Sequence, residues 1–382
     1  MLDRATSRTA DAEFSLTIHR TLPADWPGVR SVEEARALIF QTREFLSIWA
    51  ETFGVAMGLD ARFVDVRDSD GNLVLRAPLA IELRRGIRVL GFADQSTADY
   101  CAPILYPTAI VWTPERARVL WASIEAALPA VDQVVLDKMP AMVGDCVNPF
   151  FLLADDTNPE SCHGSNLLRP WAEIEATQAQ LKTLKRKARG LEKLGAVRFI
   201  VATTKPERDR LLTRLLEQKQ RRFEDTRVPG FAEAPEPKRF FEQATGVFAA
   251  TGDLNLCALE VGGELIATSW TVALGKTVYE LMIGFESGER AKHSGGRILN
   301  LKFLEWAKAH GFAYVDHGIG DEDWKRENCD THVPLGRLTV VRSAKGRRAL
   351  MRAALAAKVR STWLYKTLRP YKWIVKRALQ RR

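Results

Sequence analysis

The stretch that decides the fold is residues 290–326, RAKHSGGRILNLKFLEWAKAHGFAYVDHGIGDEDWKR. It opens as a basic loop that ends in Gly295 and Gly296. Apolar residues with the spacing of one helix face come next: Leu299, Phe303 and Trp306. Gly311 is the kind of residue that ends a helix. The stretch therefore predicts a loop, a helix, a short strand over residues 312–315 and a polar loop rich in carboxylates.

The junction between this loop and its helix has the chemistry of an anion site. A Gly-Gly pair at a helix N-terminus leaves backbone N–H groups free at the positive end of the helix dipole. The motif is neither a Walker A loop nor a dinucleotide fingerprint, and Ser-Gly-Gly is also a common way to begin any helix. Both interpretations stay open at this point. The candidate cofactor-binding residues are Arg290, Lys292, Ser294, Gly295, Gly296 and Arg297.

Length and composition are those of a multidomain globular protein. The chain has 382 residues, of which 46% are hydrophobic and 27% charged, and its length favours two or three domains. Apolar runs are shorter than a bilayer span, and the N-terminus lacks the apolar core of a secretory signal. The five cysteines include no C-x-x-C pair, and the six histidines show no metal-ligand spacing. We expect a cytoplasmic protein without a metal site.

The net charge of +9 is a property of the C-terminus alone. Residues 331–382 hold 15 Lys or Arg and no Asp or Glu, so the remainder of the chain is net acidic at −6. In residues 344–382 basic side chains alternate with apolar and aromatic ones, which is the composition of a helix on an anionic membrane. A basic helix packed on its own domain fits equally well. Because most of the chain is acidic, we do not expect nucleic acid as a partner.

An internal repeat organises the chain. Strands over residues 61–66, 73–81 and 88–92 are followed by a helix over 113–127 and a strand over 133–136. The same order returns later: strands over residues 255–261, 265–273 and 277–285 precede the helix and strand of 290–326. Two such copies predict α+β domains with mixed α/β sheets, since only a strand reached through a helix can lie parallel to its neighbour.

Four segments follow from this pattern. We predict an N-terminal domain over residues 30–140, a linker over 141–170, a second domain over 171–343 and a basic helical tail over 344–382. Residues 150–153 suggest a buried edge strand within the linker. A long basic helix over residues 172–194 opens the second domain, and it is either a solvated face or a cationic wall beside an acidic substrate.

The closing stretch resembles a known family. SGGRILNLKFLEWAKAHGFAYVDHGIGDEDWKRE is similar to the final motif of the CelD-like, FemAB-related acetyltransferases of the GNAT superfamily, found beside bacterial polysaccharide genes. Asp316, Gly318, Gly320, Asp321, Glu322, Trp324 and Lys325 occupy its strand-Asp and Gly-x-Gly-Asp-Glu-aromatic-Lys positions. Trp324 departs from the tyrosine that is commoner there. LKTLKRKARGLEKLGAVRF at 181–199, FLSIWAETFG at 45–54, APLAIELRRG at 77–86 and ADY at 98–100 also fit.

The resemblance implies two tandem GNAT-like folds, each a twisted mixed sheet flanked by helices. It implies an N- or O-acyltransferase, an acetyltransferase by family, that takes acetyl-CoA or another acyl-CoA in the second copy. The cofactor pyrophosphate would lie on the loop at 289–296. The matching loop at 106–108 has a proline and no glycine, so we expect that the first copy has lost cofactor binding and shapes the acceptor cleft. Cellulose biosynthesis and exopolysaccharide synthesis are the processes that the family suggests.

Direct acyl transfer needs a general base near the thioester, and a buried carboxylate can be one. The candidates are Asp316, Asp321, Glu286 and Glu280, with Asp316 first because it ends the strand beside the cofactor. Asp316 also suits a purely local role, bonding loop N–H groups. His317 is a weaker candidate for relaying protons.

Four residues are candidates for binding a sugar, polysaccharide or amine acceptor: Lys325, Trp270, Tyr279 and Trp324. Lys325 also suits a structural clamp on Asp321 or Glu322, and the aromatic residues suit a core. Two other functions stay open. One is a FemAB-like aminoacyl-tRNA-dependent transferase, and the other is a non-catalytic scaffold in polysaccharide synthesis. We expect the tail to make peripheral contact with the inner membrane if it binds lipid.

Overall fold

The computed structural model describes residues 4–7, 13–31 and 35–361, without the side chains of residues 4–7, 288–290 and 357–361. The strands are β1 Arg4–Ser7, β2 Ser15–His19, β3 Asp60–Arg67, β4 Leu73–Arg84, β5 Ile87–Phe92, β6 Ile104–Leu105, β7 Gln133–Met139, β8 Met142–Val143, β9 Cys146–Val147, β10 Asp156–Thr157, β11 Cys162–Asn166, β12 Val197–Val201, β13 Leu254–Val261, β14 Glu264–Leu274, β15 Thr277–Phe285, β16 Tyr314–Ile319, β17 Thr331–Val333 and β18 Gly336–Val341. The helices are α1 Arg43–Trp49, α2 Val55–Met57, α3 Pro114–Ala127, α4 Trp171–Ala176, α5 Leu181–Glu192, α6 Lys205–Thr226, α7 Glu236–Thr251, α8 Gly295–Ala309, α9 Asp323–Asn328 and α10 Ala344–Ser361.

The two copies of the repeat form two sheets of the same design. The first has the order β1-β2-β3-β4-β5-β7-β18-β10, and the second has the order β12-β13-β14-β15-β16-β11-β17. In each, a meander of three antiparallel strands is followed by a helix and a parallel strand, β5 to β7 in the first half and β15 to β16 in the second. This confirms the predicted mixed α/β class with tandem halves.

Each sheet also takes strands from the other side of the chain's midpoint. Strand β18 pairs with β7 in the first sheet, and β11 pairs with β16 in the second. Strand β11, from the predicted linker, therefore lies in the second sheet, and strand β18, from the predicted second domain, lies in the first. The segment limits at residues 140, 170 and 343 stay a prediction, and hydrogen bonding between strands crosses them.

One hydrophobic core connects the halves. Its fully buried aromatic side chains come from the first half, such as Phe45, and from the second, such as Phe240, whose rings meet edge to face at 4.9 Å. A second, smaller core lies between β13 to β16 and helix α8. The halves are thus packed on each other, and a site between them has fixed walls.

Residues 1 to about 30, which Pro23 and Pro27 predict as an extended lead-in, contain the strands β1 and β2. Local predictions missed in three places. Residues 151–153 form a 3-10 turn and not a buried edge strand, and the buried strand of the predicted linker is β11. The basic helix breaks into α4 and α5 at Gln180, which adopts a left-handed conformation. The first helix, which the sequence predicts from a Ser31 cap through about residue 53, begins only near Ile39, where a 3-10 turn precedes α1.

Within the described residues, no helix combines the length and apolarity that a membrane-spanning segment requires.

Candidate active site

The loop between β15 and α8 forms an uncapped helix N-terminus. A 3-10 turn, Gly288–His293, leads to Ser294, whose backbone is left-handed with φ of 56°, and α8 begins at Gly295 without a side-chain cap from Ser294. Lys187 of α5 donates a hydrogen bond to the Ser294 hydroxyl at 2.7 Å. The basic helix therefore places an ammonium group beside free N–H groups, which suits an anion.

The two glycines let α8 approach the sheet. A Cβ on Gly295 would lie 3.3 Å from Ile266 Cδ1, and one on Gly296 would lie 3.0 Å from Phe285 Cδ1. Phe285 is the last residue of β15. Any larger residue would push the helix start away from the end of that strand, so the glycines have a packing role as well as an open backbone.

The other predicted cofactor-binding residues differ in how their side chains are held. Arg297 donates to the Ala179 carbonyl at 2.6 Å and to Asn328 Oδ1 at 2.8 Å, which ties α8 to its neighbours and commits this guanidinium to structure. Lys292 is exposed beside the loop. The side chain of Arg290 lies outside the described residues. These six assignments stay predictions, and Lys187 is a cation that the sequence did not single out.

Strands β15 and β16 separate beyond a short parallel contact. They pair only from Thr277–Tyr314 to Tyr279–Asp316, whereas β15 continues to Phe285 and β16 to Ile319. A bulge precedes the gap: Glu280 pairs with Thr271 and Met282 with Trp270, so Leu281 is extra. Diverging strands and a bulge leave backbone groups unpaired in the ladder. The gap opens toward the C-terminal ends of the two strands, where the β15–α8 loop lies.

A row of buried polar side chains crosses the sheet at this gap. Ser269 donates to Glu280 Oε1 at 2.7 Å, His317 Nδ1 lies 3.0 Å from Glu280 Oε2, and Ser165 Oγ lies 3.3 Å from His317 Nε2. These four residues come from β14, β15, β16 and β11, which are neighbours in the sheet. Burial would raise the pKa of Glu280, but the bonds from His317 and Ser269 and the charge of Lys325 lower it.

A second cluster joins the two halves of the chain. Tyr100 donates to Asp316 Oδ2 at 2.6 Å, and the Gly318 N–H donates to Asp316 Oδ1 at 2.7 Å. Burial nevertheless raises the pKa of Asp316. Asp99 is adjacent, since a Cβ on Gly318 would lie 2.4 Å from its Oδ2. Burial, followed by the Asp316 charge, raises the pKa of Asp99 to about 7. Two carboxyl groups with raised pKa values are a signature of acid–base chemistry.

A cavity between the halves reaches this cluster. Its volume is about 940 Å³, and its walls include Tyr100 from the first half and Tyr279, Tyr314 and Asp316 from the second. Tyr279 is 5% exposed and stacks edge to face on Phe40. The size is ample for a sugar-sized ligand. Of the predicted residues, Asp316 and Tyr279 are thus brought together at one cavity.

The acidic loop is internally bonded. Lys325 is buried and donates to the Ile319 carbonyl at 2.7 Å and the Gly318 carbonyl at 3.3 Å, and its ammonium lies 3.3 Å from Glu322 Oε2. Trp324 packs edge-on against His317 at 5.5 Å. Lys325 therefore has the partners of a clamp, one of its two predicted roles.

The remaining candidates lie elsewhere. Asp321 accepts a hydrogen bond from His163 at 2.8 Å, and this bond lowers its pKa. Glu286 pairs with Arg214 at 2.9 Å and Arg221 at 2.8 Å, so both of its oxygens are held by guanidinium groups. Trp270 is fully buried and bonds Thr245 in the core. Their catalytic and binding roles stay predictions, which these partners do not favour.

Sequence reasoning missed Asp99, Tyr100, Ser165 and His163. Residues 98–100 were noticed only as part of a family pattern. A buried-looking Asp-Tyr pair after a short loop was the available signal, whereas nothing near Ser165 or His163 marks either residue as part of a site.

Comparisons with known proteins agree with this architecture. Residues 178–326 match the family model described as an acetyltransferase (GNAT) domain. The crystal structure of FemX matches with a TM-score of 0.52 and 12% identity, over 80% of this chain and 93% of that one. A lysylphosphatidylglycerol synthetase C-terminal domain from Agrobacterium fabrum matches with a TM-score of 0.46 and 13% identity, over 81% of this chain and 96% of that one.

A tandem GNAT protein from the clavulanic acid pathway matches with a TM-score of 0.41 and 12% identity, over 81% of this chain and 99% of that one. No curated protein sequence matches. At such identities the likeness concerns the fold, and the FemX match extends it over both halves. The chain is a mixed α/β protein whose two halves contain sheets of one design, and residues 178–326 of its second half match the model of an acetyltransferase (GNAT) domain.

Proposed function

We propose that this protein transfers an acyl group, acetyl by family, from acyl-CoA to an amine or hydroxyl of a sugar-, polysaccharide- or cell-envelope-related acceptor. The observation that carries the proposal is the uncapped N-terminus of α8 beside the gap between β15 and β16. The diphosphate of the donor would bind the first-turn N–H groups with Lys187 and Lys292 nearby. Its pantetheine arm would lie in the gap, with the bulge at Leu281 offering N–H groups to the thioester oxygen.

The acceptor would enter through the cavity between the halves. Tyr100, Tyr279 and Tyr314 supply aromatic and hydroxyl surface there, and Asp316 supplies a carboxylate. Aromatic rings with a few polar groups are what sugar-like ligands require. The CelD-like resemblance supports an acceptor in exopolysaccharide or cellulose biosynthesis.

Asp316 is the proposed general base. It takes the proton of the acceptor as the acceptor's nitrogen or oxygen attacks the thioester carbonyl, and the tetrahedral intermediate then collapses with loss of the CoA thiolate. Asp99 raises the proton affinity of the pair, and Tyr100 orients the carboxylate. His317, held by Glu280 at the gap, is placed to return a proton to the leaving sulfur. The transfer is direct, without an acyl-enzyme.

Isothermal titration of the full chain with acetyl-CoA tests the donor site. We expect binding to the wild type, and at least tenfold weaker binding to the Gly295→Val/Gly296→Val variant and to Lys187→Ala. Gly246→Ala is a matched control, because a Cβ there has no neighbour within 4 Å. Wild-type binding that survives all these changes would move the donor elsewhere, and no binding of any acyl-CoA would favour the scaffold function.

The second candidate is a FemAB-like transferase that uses aminoacyl-tRNA. The fold likeness to FemX and the exposed basic face of α5 favour it. Tight tRNA binding that weakens steeply with salt, together with no acyl-CoA affinity, would select it.

The C-terminal tail is a proposed contact with an anionic lipid surface, for an enzyme working in the cytoplasm at the inner membrane. Helix α10 is anchored where Gln133 donates to the Gly346 carbonyl at 2.7 Å. Beyond it Leu350, Met351 and Leu355 are exposed among arginines. Residues 362–382 lie outside the described part. Equal sedimentation with anionic liposomes before and after removal of residues 350–382 would contradict the contact.

A further inference from the structure

Three metal-binding side chains from distant segments meet beside the second sheet. One ligand atom from each of His163, Asp321 and His332 lies within 4.8 Å of the other two. His163 Nε2 is 2.8 Å from Asp321 Oδ1. His163 and His332 face each other across the antiparallel pair β11–β17, with ring centroids 5.3 Å apart.

We propose that these residues form a binding site for a first-row divalent transition ion, with zinc the best fit. Two imidazole nitrogens and one carboxylate oxygen are a common set of three protein ligands for zinc, whereas Mg²⁺ and Ca²⁺ prefer oxygen alone. With metal–ligand distances of about 2.0–2.2 Å, tetrahedral ligand atoms lie roughly 3.3–3.5 Å apart. To reach that geometry, His163 and Asp321, now 2.8 Å apart, would open slightly, and the wider pairs, which lie within 4.8 Å, would close.

The surrounding contacts already hold two of the ligands. His163 is 4% exposed. The loop that carries Asp321 is fixed to the residue just before β11, because the Gly320 N–H donates to the Ser161 carbonyl at 2.9 Å. Arg326 approaches Asp321 at its other oxygen, Oδ2, at 3.6 Å. Oδ1, the oxygen that faces His163, thus stays on the side of the imidazole nitrogens.

His332 distinguishes the metal site from a plain His–Asp ion pair. The pair of His163 and Asp321 would be complete without it. Among the described residues the ring of His332 has no hydrogen-bond partner, yet it lies directly beside the pair on an exposed strand position. An imidazole with both nitrogens available is what a third ligand requires.

The fourth coordination position would be open to solvent, because Asp321 is partly exposed and His332 exposed. Three protein ligands with one open position are the arrangement of zinc sites that bind water or a substrate oxygen. Strand β11 also pairs with β16, where Gly164 is opposite Asp316. The ion would therefore lie near the carboxylate cluster and fasten β17, β11 and the acidic loop together. This proposal does not depend on the acyl donor.

Metal content of the full-length protein, without a histidine tag, tests the site. After chelation and dialysis against Zn²⁺, we expect about one equivalent by elemental analysis and binding by isothermal titration. Co²⁺ should give the visible absorption of a tetrahedral N/O site. Mg²⁺ in excess should not compete.

Three variants make the result decisive. His332→Ala and Asp321→Asn should each weaken Zn²⁺ binding at least tenfold while circular dichroism and the melting temperature without metal stay close to wild type. His310→Ala, an exposed histidine outside the cluster, should bind like wild type. Less than about 0.2 equivalents of zinc in wild type, or unchanged affinity in His332→Ala, would overturn the site and leave His163 and Asp321 as an ion pair.

Discussion

The two halves begin their crossover helices differently. In the first half, the hydroxyl of Thr113 accepts a hydrogen bond from the Arg116 N–H at 3.3 Å, and Pro114 occupies the first turn of α3. In the second half, Ser294 gives α8 no side-chain cap, and two glycines follow. A capped start with a proline satisfies its own N–H groups, whereas an uncapped glycine start leaves them for a ligand.

The carboxylates on the returning strands differ in the same way. Asp137 of β7 is bonded to Asn158 at 2.8 Å and paired with Arg337 of the exchanged strand β18. Although burial would raise its pKa, these partners lower it. Asp316 of β16 has a phenol and a backbone N–H, but no cation among the described side chains at bonding distance, and its pKa is raised. The same position in the architecture therefore holds an ion-paired carboxylate in the first half and a buried carboxylate with a raised pKa in the second.

The strongest test replaces each of these two carboxylates, Asp316 and Asp137, by an amide in separate variants. Asp316→Asn should lower kcat about 100- to 1000-fold, because the amide cannot take the acceptor's proton, and should leave acetyl-CoA affinity by titration nearly unchanged. Thiol release measured with an acceptor that the wild type uses gives the rate. Asp137→Asn is the matched control, with normal turnover and a loss of about 1 kcal/mol in stability. Equal rates in wild type and Asp316→Asn would remove Asp316 as the base.

The polar row at the gap should make the second sheet sensitive to loss of one partner. His317→Ala leaves Glu280, which is 7% exposed, without its imidazole. We expect a loss of about 3 kcal/mol in the free energy of unfolding, measured by denaturant titration. His317→Ala/Glu280→Gln should recover part of it, since the stranded charge is gone. A double variant as unstable as the single one would mean that packing, not charge, holds this row.

Asp99 links the halves and should make stability depend on pH. Its pKa is raised from 3.8 to about 7 in the folded state, so the folded protein retains a proton that the unfolded chain has lost. The stabilising free energy of this protonated carboxyl group is fully present below about pH 4 and is lost as pH rises through 7. Asp99→Asn should therefore raise Tm by roughly 2–4 °C at pH 8 and little at pH 4.

The carboxyl pair of Asp99 and Asp316 should also set the pH dependence of activity. The wild type should gain kcat/KM with pH through an apparent pKa near 7 that belongs to Asp99 and Asp316 together. Removal of the neighbouring charge in Asp99→Asn should move this limb to lower pH. A limb that does not move would separate Asp99 from the reaction.

The smallest effect is expected at the capped N-terminus of α3. Thr113→Ala should cost about 1 kcal/mol of stability, because one N–H of α3 loses its cap, with acetyl-CoA affinity unchanged. Thermal unfolding and titration measure the two. A change in acyl-CoA affinity would mean that the first half still contributes to the donor site.

The order of elements was largely predictable because its signals are local. The alternation of β13 to β15 and the Gly262-Gly263 turn identify a meander in sequence, and the observed bounds lie within a few residues of those predicted. Strand β11 was missed since its sequence, Cys-His-Gly-Ser-Asn, has no apolar alternation. Strand β11 is buried because it lies between β16 and β17, and its own residues give no sequence signal of that burial.

The candidate site was predictable only in part. Asp316 was singled out as the end of a strand predicted over residues 312–315. It lies instead within β16, Tyr314–Ile319, and lines the cavity. Glu286 looked equivalent in sequence, and only the position of α6 brings Arg214 and Arg221 to it. Asp99 carried no strong signal because its pKa is raised first by burial and then by the Asp316 charge, and both arise from tertiary packing.

The sequence alone determined the repeated order of strands and helices, the open glycine start of the second crossover helix and the basic C-terminus, because hydrophobic periodicity and backbone preference act over a few residues. The tertiary structure decided the strand exchange and the partners of each charged group. Tyr100 meets Asp316 across 216 positions and His163 meets Asp321 across 158. Such contacts, and the pKa shifts that burial brings with them, exist only once distant segments have paired in one sheet or packed on one core.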